Sequence, residues 1–262
     1  MTINNSLYFY SQYYDGLPAE VESTKRELHG PLDEGSEDAQ RKKAAARNKL
    51  ITDQKFKTSN RPIPMCGQSV QLVTEYPGLL IGLGYPHDIK VGGALTMGCH
   101  LDYATGLPTI PGSTVKGLLR SYLKDYWELV EDLLGPMPDQ FIDHLFKESN
   151  AVFLDAWPIR PDQSGRLFGV ETITPHTVSR ESDYEGLAEP MPIQGLKVLP
   201  GVRYTFRFKL PPYVDKVSEN DLLDAFAWLI MTMGVGAKTN VSFGGFNPTD
   251  DPVSETILEA VA

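Results

Sequence analysis

Residues 218 to 246 read SENDLLDAFAWLIMTMGVGAKTNVSFGGF, and this stretch decides the fold. Its first half has apolar side chains every three or four residues, the period of an amphipathic helix. Ser218 and Asp221 have the spacing of a capping pair, and Gly234 interrupts the pattern. The sequence therefore predicts a helix over 219–233, then a glycine loop, then a short strand over Val241–Phe246.

The glycine loop predicts an anion site. Four glycines (Gly234, Gly236, Gly244 and Gly245) and Lys238 occur in it, without an acidic residue. Glycine lets backbone N–H groups approach an anion closely, so a phosphate or a nucleic-acid backbone is the expected partner. A helix C-cap followed by a bulged hairpin would use the same glycines, so a purely structural role stays open.

A nucleotide-binding P-loop does not fit this segment. Ala237 stands where that motif needs the glycine before its lysine, and the motif should leave a strand and open a helix. Here the loop follows a helix instead.

Composition limits the class of protein. The chain has 262 residues, 41% of them hydrophobic, and a formal net charge of -10. It has no apolar run near 18 residues and no signal-peptide pattern at its first residues, so we expect a cytoplasmic protein without a membrane partner. Cys66 and Cys99 lack a Cys-x-x-Cys spacing, which favours reduced thiols.

One segment reverses the acidic balance. Residues 41 to 61 carry eight lysines or arginines against Asp53 alone, a local charge of +7. Arg41, Lys42 and Lys43 are therefore candidate RNA contacts, although the whole-chain charge argues against a general nucleic-acid coat. A solvated helix over 36–51, with acids at its start and bases towards its end, would explain the same charges.

The order of elements predicts an α+β fold. Residues 1 to 68 are polar and weakly periodic, so we expect an N-terminal extension outside the core, with a basic helical segment, before a domain over 69–262. Candidate strands occupy 70–76, 95–103, 151–159, 167–173 and 202–210, with a first helix that begins at Ser113 as N-cap. Strands separated by two helices indicate a ferredoxin-like (RRM-like) sandwich with long loop insertions.

The first helix holds a second candidate anion site. Lys116 and Arg120 lie one turn apart, near a helix start whose free N–H groups favour anions. Gly117 costs up to about 1 kcal/mol in a helix, which suggests that something packs closely there. An exposed pair of cations on a core helix is the alternative.

Two motifs resemble a known family. Residues 103–120, YATGLPTIPGSTVKGLLR, resemble the Ile-Pro-Gly-Ser-x-x-Lys-Gly-x-x-Arg signature of the RAMP superfamily of CRISPR antiviral systems, and the glycine loop resembles its C-terminal loop. Together with Thr174-Pro175-His176 and residues 189–193, the likeness is greatest to the family of sixth subunits of the Cmr complex, the type III-B effector. It spans residues 78–247.

The resemblance implies a non-catalytic, RNA-binding subunit of a ribonucleoprotein, without metal or other cofactor. Such a subunit would contact the 3′ region of the CRISPR guide RNA and the target RNA, and would pack on other RAMP subunits. Lys116 and Arg120 would then face RNA phosphates and His176 would make a loop contact. The loop residues implied to lie against the guide backbone are Gly234, Gly236, Lys238, Asn240, Gly244 and Gly245.

Other roles remain open on sequence grounds. His100 and Asp102 would share a face of a predicted strand, as the acid/base pair of a RAMP endoribonuclease for precursor RNA would require; His87-Asp88 is a second candidate. Besides an RNA-binding subunit and an endoribonuclease, a third alternative is a solitary scaffold protein whose glycine loop has only a structural role. Phe243 and Phe246 would either stack on bases or enter the core. The tryptophans 127, 157 and 228 are expected in the core.

Overall fold

The computed structural model describes residues 4–13, 37–62, 67–84, 91–148, 151–174, 192–249 and 256–261. The α-helices are α1 Asn5–Leu7, α2 Glu37–Thr52, α3 Gly112–Asp125, α4 Glu131–Leu134, α5 Phe141–Asp143 and α6 Glu219–Met233. The strands are β1 Lys55–Pro62, β2 Gln68–Thr74, β3 Leu95–Met97, β4 Val152–Phe153, β5 Trp157–Arg160, β6 Phe168–Ile173, β7 Ile193–Val198, β8 Arg203–Lys209, β9 Tyr213–Val214, β10 Val217–Ser218, β11 Phe246–Pro248 and β12 Thr256–Val261. Short 3-10 and π turns occupy Tyr8–Gln12, Trp127–Leu129, His144–Glu148 and Thr239–Val241.

The central sheet organises the molecule. Its strands run in the order β11-β2-β8-β4, all antiparallel, and β5 also pairs with β8. Along the chain, α3 lies between β2 and β4, and α6 lies between β8 and β11. The C-terminal end of β2 therefore meets the start of β11, where Thr74 is opposite Phe246.

Aromatic side chains join this sheet to α6. Tyr204, Phe206 and Phe208 alternate along β8, so they lie on the same face of the strand, and all three are fully buried. Phe226 of α6 lies 5.2 Å from Phe208 and 5.8 Å from Phe153, ring centroid to centroid. Each buried phenylalanine contributes about 1.5–3 kcal/mol to folding, so these contacts hold α6 firmly on the sheet.

The described residues also form three smaller sheets. The strands β3, β7 and β6 form a sheet in that order, in which β3 and β7 are parallel. The pairs β1 with β12 and β9 with β10 are antiparallel. Across the described ranges, no helix has the length and apolar character to cross a membrane.

The mixed α+β composition and the helix over 219–233 are confirmed. The Ser218 hydroxyl accepts a hydrogen bond from the Asp221 N–H at 3.2 Å, and Gly234 ends α6 with φ +77°. Helix α3, however, begins at Gly112 rather than after Ser113. The Gly112 N–H donates to the Asp155 carboxylate at 2.7 Å, so a residue distant in sequence sets this start.

Several predicted elements are wrong. The stretch over 241–246 is not a strand: it contains the end of a 3-10 turn and Ser242 at φ +71°, and pairing starts only at Phe246. The strand predicted over 95–103 ends at Met97, and the one over 151–159 divides into β4 and β5. Trp228 is 47% exposed, although we placed it in the core.

Residues before 68 contribute to the core, contrary to expectation. Phe9, Tyr13 and Ile51 are fully buried and belong to the same hydrophobic cluster as β8 and α6. The Tyr13 hydroxyl accepts a hydrogen bond from the Leu95 N–H at 2.8 Å and donates to the Asn48 side-chain oxygen. For the described parts of this segment, an extension lying outside the core is therefore wrong; a domain boundary at 68 stays a prediction.

Candidate nucleic-acid interface

The glycine loop is fastened to the end of β2. The Val235 N–H donates to the Gly244 carbonyl at 2.8 Å, which closes the loop at its base. The Gly244 N–H donates to Gly78 and the Ala237 N–H donates to Leu80, at 2.8 and 2.9 Å. These bonds fix the loop against the segment that follows β2.

Two of the glycines are required by the backbone itself. Gly236 and Gly244 have φ +95° and +74°, values that side chains other than glycine rarely adopt. A Cβ at Gly236 would lie 2.4 Å from the Leu80 carbonyl oxygen, and one at Gly244 would lie 1.8 Å from the Val235 carbonyl oxygen. The glycines therefore have a structural role whatever the loop binds.

The tip of the loop faces solvent. Lys238 and Asn240 are exposed, and Lys238 has φ +60°. The Lys238 carbonyl accepts hydrogen bonds from the N–H groups of Val241 and Phe243, at 3.1 and 3.3 Å. Left-handed backbone at a lysine costs about 1–2 kcal/mol, so the surrounding contacts hold the tip in a strained shape.

Fewer loop N–H groups are available to an anion than the glycine content suggested. Those of Val235, Ala237 and Gly244 already donate to carbonyls of the chain. The N–H groups of Gly236, Lys238, Thr239 and Asn240 donate to no other described residue. The donors therefore concentrate at the tip, around the Lys238 ammonium.

Gly245 lies in a different environment from the tip. A Cβ built on it would meet the Glu75 carboxylate oxygen at 2.8 Å. A carboxylate repels phosphate, so the part of the loop next to Glu75 is unsuited to an RNA backbone.

The two predicted cations of α3 lie apart from the loop. The Lys116 ammonium lies 5.9 Å from the Phe153 ring centroid, above strand β4, whereas the loop leads into β11 at the opposite edge of the sheet. Within the described chain, no hydrogen bond or ion pair joins Lys116 to the loop. What joins α3 to the loop is Tyr122, whose hydroxyl donates to the Gly234 carbonyl at 3.1 Å.

Arg120 and Gly117 lie on the outer side of α3. Arg120 is exposed and close enough to Asp143 to help lower the pKa of that carboxyl, although the hydrogen bond from Lys147 is the main cause. A Cβ at Gly117 would meet nothing within 4 Å, so the close packing expected there is absent from the described chain.

The basic residues of α2 belong to a solvated helix. Arg41 pairs with Glu37 one turn earlier at 2.5 Å, and both side chains are mostly exposed. Lys42 is exposed and Lys43 is half-buried. Ala44, on the inner side of the helix, is fully buried.

The histidines do not form the predicted acid/base pair. The Nδ1 atom of His100 lies 3.0 Å from the Thr109 carbonyl oxygen, and the Asp102 carboxylate accepts from the Thr105 N–H and hydroxyl at 2.7 Å. His100 and Asp102 therefore each interact with a threonine that is close in sequence. His87 and His176 lie outside the described residues.

The structure contains one histidine–carboxylate pair that the sequence did not predict. His144 Nδ1 lies 2.6 Å from the Asp215 carboxylate, 71 residues away in sequence. This hydrogen bond is the main cause that raises the pKa of His144 above its ordinary value of 6.5. Among the residues with described positions, no cluster of three His, Cys, Asp or Glu has the geometry to hold a metal ion.

Further cations lie near the end of β2 that carries the loop. A depression of about 380 Å³ is lined by Val73, Arg160, Gly201 and Arg203, among others. Arg160 of β5 is exposed and pairs in register with Arg203 of β8. The sequence did not predict this pair of arginines, because only the pairing of β5 with β8 brings them together.

The chain belongs to the RAMP superfamily. The sequence model of that superfamily matches residues 71–247, which includes both the α3 motif and the glycine loop. The resemblance seen in the sequence is thereby confirmed.

Particular relatives come from CRISPR effector complexes. The chain is 34% identical to the CRISPR system CMR subunit Cmr6 of Saccharolobus solfataricus over 153 residues, 57% of this chain and 48% of that protein. The match thus spans about half the length of this relative.

The chain is also similar to chains of solved structures. A cryo-electron-microscopy structure of the type III-B Cmr-β complex bound to cognate target RNA contains a chain 26% identical, with a TM-score of 0.50, over 74% of this chain and 59% of that one. Cmr6 from Pyrococcus furiosus is 17% identical, with a TM-score of 0.43, over 71% of this chain and all of that one.

Proposed function

We propose that this chain is a non-catalytic RNA-binding subunit of a type III-B CRISPR effector complex, and that the tip of its glycine loop contacts the RNA backbone. The observation that carries the proposal is the tip itself: an exposed Lys238 on strained backbone, beside N–H groups without a described acceptor. The similarity to Cmr6 and to a chain of an RNA-bound Cmr-β complex supports it. In such a complex the loop would lie in the 3′ region of the guide, next to the guide–target duplex.

The topology supports a ferredoxin-like core. Elements β2, α3, β4, β8, α6 and β11 follow one another as βαββαβ, and their antiparallel sheet has the order fourth, first, third, second. Residues 1–68 would then precede this core in sequence while packing part of their apolar side chains into it, and the β3-β7-β6 sheet and the β9-β10 pair would be insertions into it.

The chemistry of the tip favours recognition of backbone over base edges. Ammonium and N–H donors bind phosphate oxygens, which carry no sequence information. A subunit of this kind would hold any guide sequence, as an effector loaded with different guides needs. Its affinity should fall as salt rises, because phosphate binding releases counterions.

Other basic residues would extend the contact. Lys116 and Arg120 would form a second site on α3, and Arg41, Lys42 and Lys43 would form a third on α2. His176, after Pro175, would add a loop contact.

One acidic surface is suited to protein rather than RNA. Residues 126–148 and 211–224 carry ten acidic side chains and two lysines, so they hold -8 of the chain's net -10. They surround a groove of about 540 Å³ whose walls include Leu133, Pro136, Asp215 and Asp221. Polyanionic RNA is repelled there, whereas a basic neighbouring subunit of the complex, such as another RAMP protein, is attracted.

The acidic surface can be tested by charge reversal. Glu131→Lys with Asp132→Lys changes two exposed residues at the start of α4 and should reduce assembly with the other subunits, most strongly at low salt. Unchanged assembly would mean that partners bind elsewhere.

We also expect the assembled complex to be found in the cytoplasm.

A charge-reversed loop tests the RNA contact. Lys238→Glu should weaken retention of guide RNA by the assembled complex, and adding Lys116→Glu should weaken it further. Lys209→Glu is the matched control, because Lys209 is exposed at the end of β8 farthest from the loop. Guide retention equal in the Lys238 variants and the control would refute the assignment.

The endoribonuclease alternative has its own test. The proposal predicts that the purified chain leaves repeat RNA uncut, and that His100→Ala does not change this result. Cutting of repeat RNA by the purified chain that His100→Ala abolishes would overturn the non-catalytic role.

A further inference from the structure

Among the large hydrophobic side chains of the described residues, that of Tyr76 is the most exposed, at 83% of its full accessible area. It follows β2 directly, in the sequence Glu75-Tyr76-Pro77-Gly78. Exposure of so large a ring has no benefit for folding, since its burial would contribute favourable free energy. The ring is therefore available to a flat ligand, if its position in the fold places it beside one.

The backbone on both sides of Tyr76 is fastened to the glycine loop. The Glu75 N–H donates to the Gly245 carbonyl at 2.9 Å, and the Gly78 carbonyl accepts from the Gly244 N–H at 2.8 Å. Tyr76 and Pro77 therefore lie between two hydrogen bonds to the same pair of loop residues. The tyrosine belongs to the rim of the loop although 162 residues separate Tyr76 from Lys238 in sequence.

The two aromatic residues of the loop itself differ in burial. Phe246 is buried and packs edge-on against Tyr204 and Phe206, with ring centroids 6.0 and 5.4 Å apart. Phe243 is half-buried. Tyr76 is the most exposed of these three aromatic residues.

Charge divides the site into two parts. The Glu75 carboxylate lies against Gly245, on the Tyr76 side, and repels phosphate. The Lys238 ammonium and the N–H groups that have no acceptor among the described residues lie at the tip and attract phosphate. A neutral, flat group is therefore suited to the Tyr76 side, and an anionic group to the tip.

We infer that Tyr76 is a stacking platform for one unpaired nucleobase of the RNA whose phosphate contacts the tip of the loop. The inference rests on the proposed function and adds a base-contacting residue to it. Stacking on an aromatic ring tolerates any base, because every base has a π face, so the platform keeps the sequence tolerance that a guide-binding subunit needs.

The test uses the assembled complex and RNAs that each lack one base. Abasic nucleotides are placed singly along the 3′ region of the guide, and in a second series along the target strand, and affinity is measured for each. The native complex should lose about five- to 150-fold at one position, the range for stacking of one base on an aromatic side chain. The position of this loss also shows whether the stacked base belongs to the guide RNA or to the target RNA.

The variants then assign the lost affinity to Tyr76. Tyr76→Ala should weaken binding of intact RNA by the same factor and make the abasic substitution at that position silent, whereas Tyr76→Phe should keep native behaviour. Trp228→Ala is the control: Trp228 is an exposed aromatic residue of α6 that lies outside both the glycine loop and the acidic surface.

The outcomes separate the two proposals. If Tyr76→Ala binds intact RNA like the native chain while Lys238→Glu weakens it, the platform is wrong and the loop contact stands. If Tyr76→Phe is as weak as Tyr76→Ala, the hydroxyl rather than the ring makes the contact, and stacking is refuted. If neither Tyr76→Ala nor Lys238→Glu changes affinity, both proposals fail.

Discussion

Replacing Lys238 by glycine should make the protein more stable and its RNA binding weaker. Lys238 has φ +60°, a left-handed conformation that costs a side-chain-bearing residue about 1–2 kcal/mol. Glycine adopts it freely but brings an entropic cost of about 0.5–1 kcal/mol. The difference is a net stabilisation of up to about 1.5 kcal/mol, and of about 0.75 kcal/mol at the middle of both ranges, or about 2 °C in Tm for a chain of this size.

The same substitution removes the cation from the tip of the loop. If Lys238 neutralises one phosphate of single-stranded RNA, the slope of log affinity against log salt should become shallower by about 0.7. Stability is measured by urea unfolding of the purified chain, and affinity by titration of the assembled complex with labelled RNA at several salt concentrations.

Two further variants separate strain from charge. Ser242 has φ +71°, so Ser242→Gly relieves a similar strain without a change in charge and should stabilise the chain with RNA binding unchanged. Lys238→Ala removes the charge but keeps the strain, and should weaken binding without stabilisation. A Lys238→Gly chain that binds RNA with the native salt slope would refute a functional reason for the strained lysine.

Two other perturbations follow from the geometry. Gly244→Ala should lower the free energy of unfolding by at least about 2 kcal/mol, because its Cβ would lie 1.8 Å from the Val235 carbonyl oxygen, whereas Gly117→Ala should raise it by about 0.5–1 kcal/mol because nothing lies within 4 Å; equal effects in urea unfolding would contradict this. His144 has a raised pKa, so its pairing with Asp215 stabilises the fold below pH 6.5, and this contribution is lost as the pH rises through the higher folded pKa. Asp215→Asn should flatten that part of the profile of Tm against pH, and an unchanged profile would refute the coupling.

Local patterns predicted the parts of the fold that local physics decides. Helix α6 begins at Ser218 and ends at Gly234 as expected, because capping and helical periodicity depend on neighbouring residues. The start of α3 was misplaced because the Asp155 carboxylate, 43 residues away, binds the Gly112 N–H. A sequence pattern contains no record of such a contact.

The candidate site likewise combines features that local sequence predicts with features that depend on tertiary contacts. Glycine content identified the loop, but only tertiary contacts decide which of its N–H groups are free, since Leu80 and Gly78 accept two of them. Tyr76 could not be identified in advance, because its exposure and its two flanking bonds to the loop arise from the meeting of β2 with β11. The strand predicted over 241–246 failed because αL backbone at Ser242 interrupts it.

A density map of the assembled complex with guide and target RNA tests the central claim most directly. The account predicts an RNA phosphate within hydrogen-bonding distance of the Lys238 ammonium and of a backbone N–H between Gly236 and Asn240. A map in which the tip of the glycine loop faces solvent or another protein subunit, with the RNA backbone elsewhere, would contradict it.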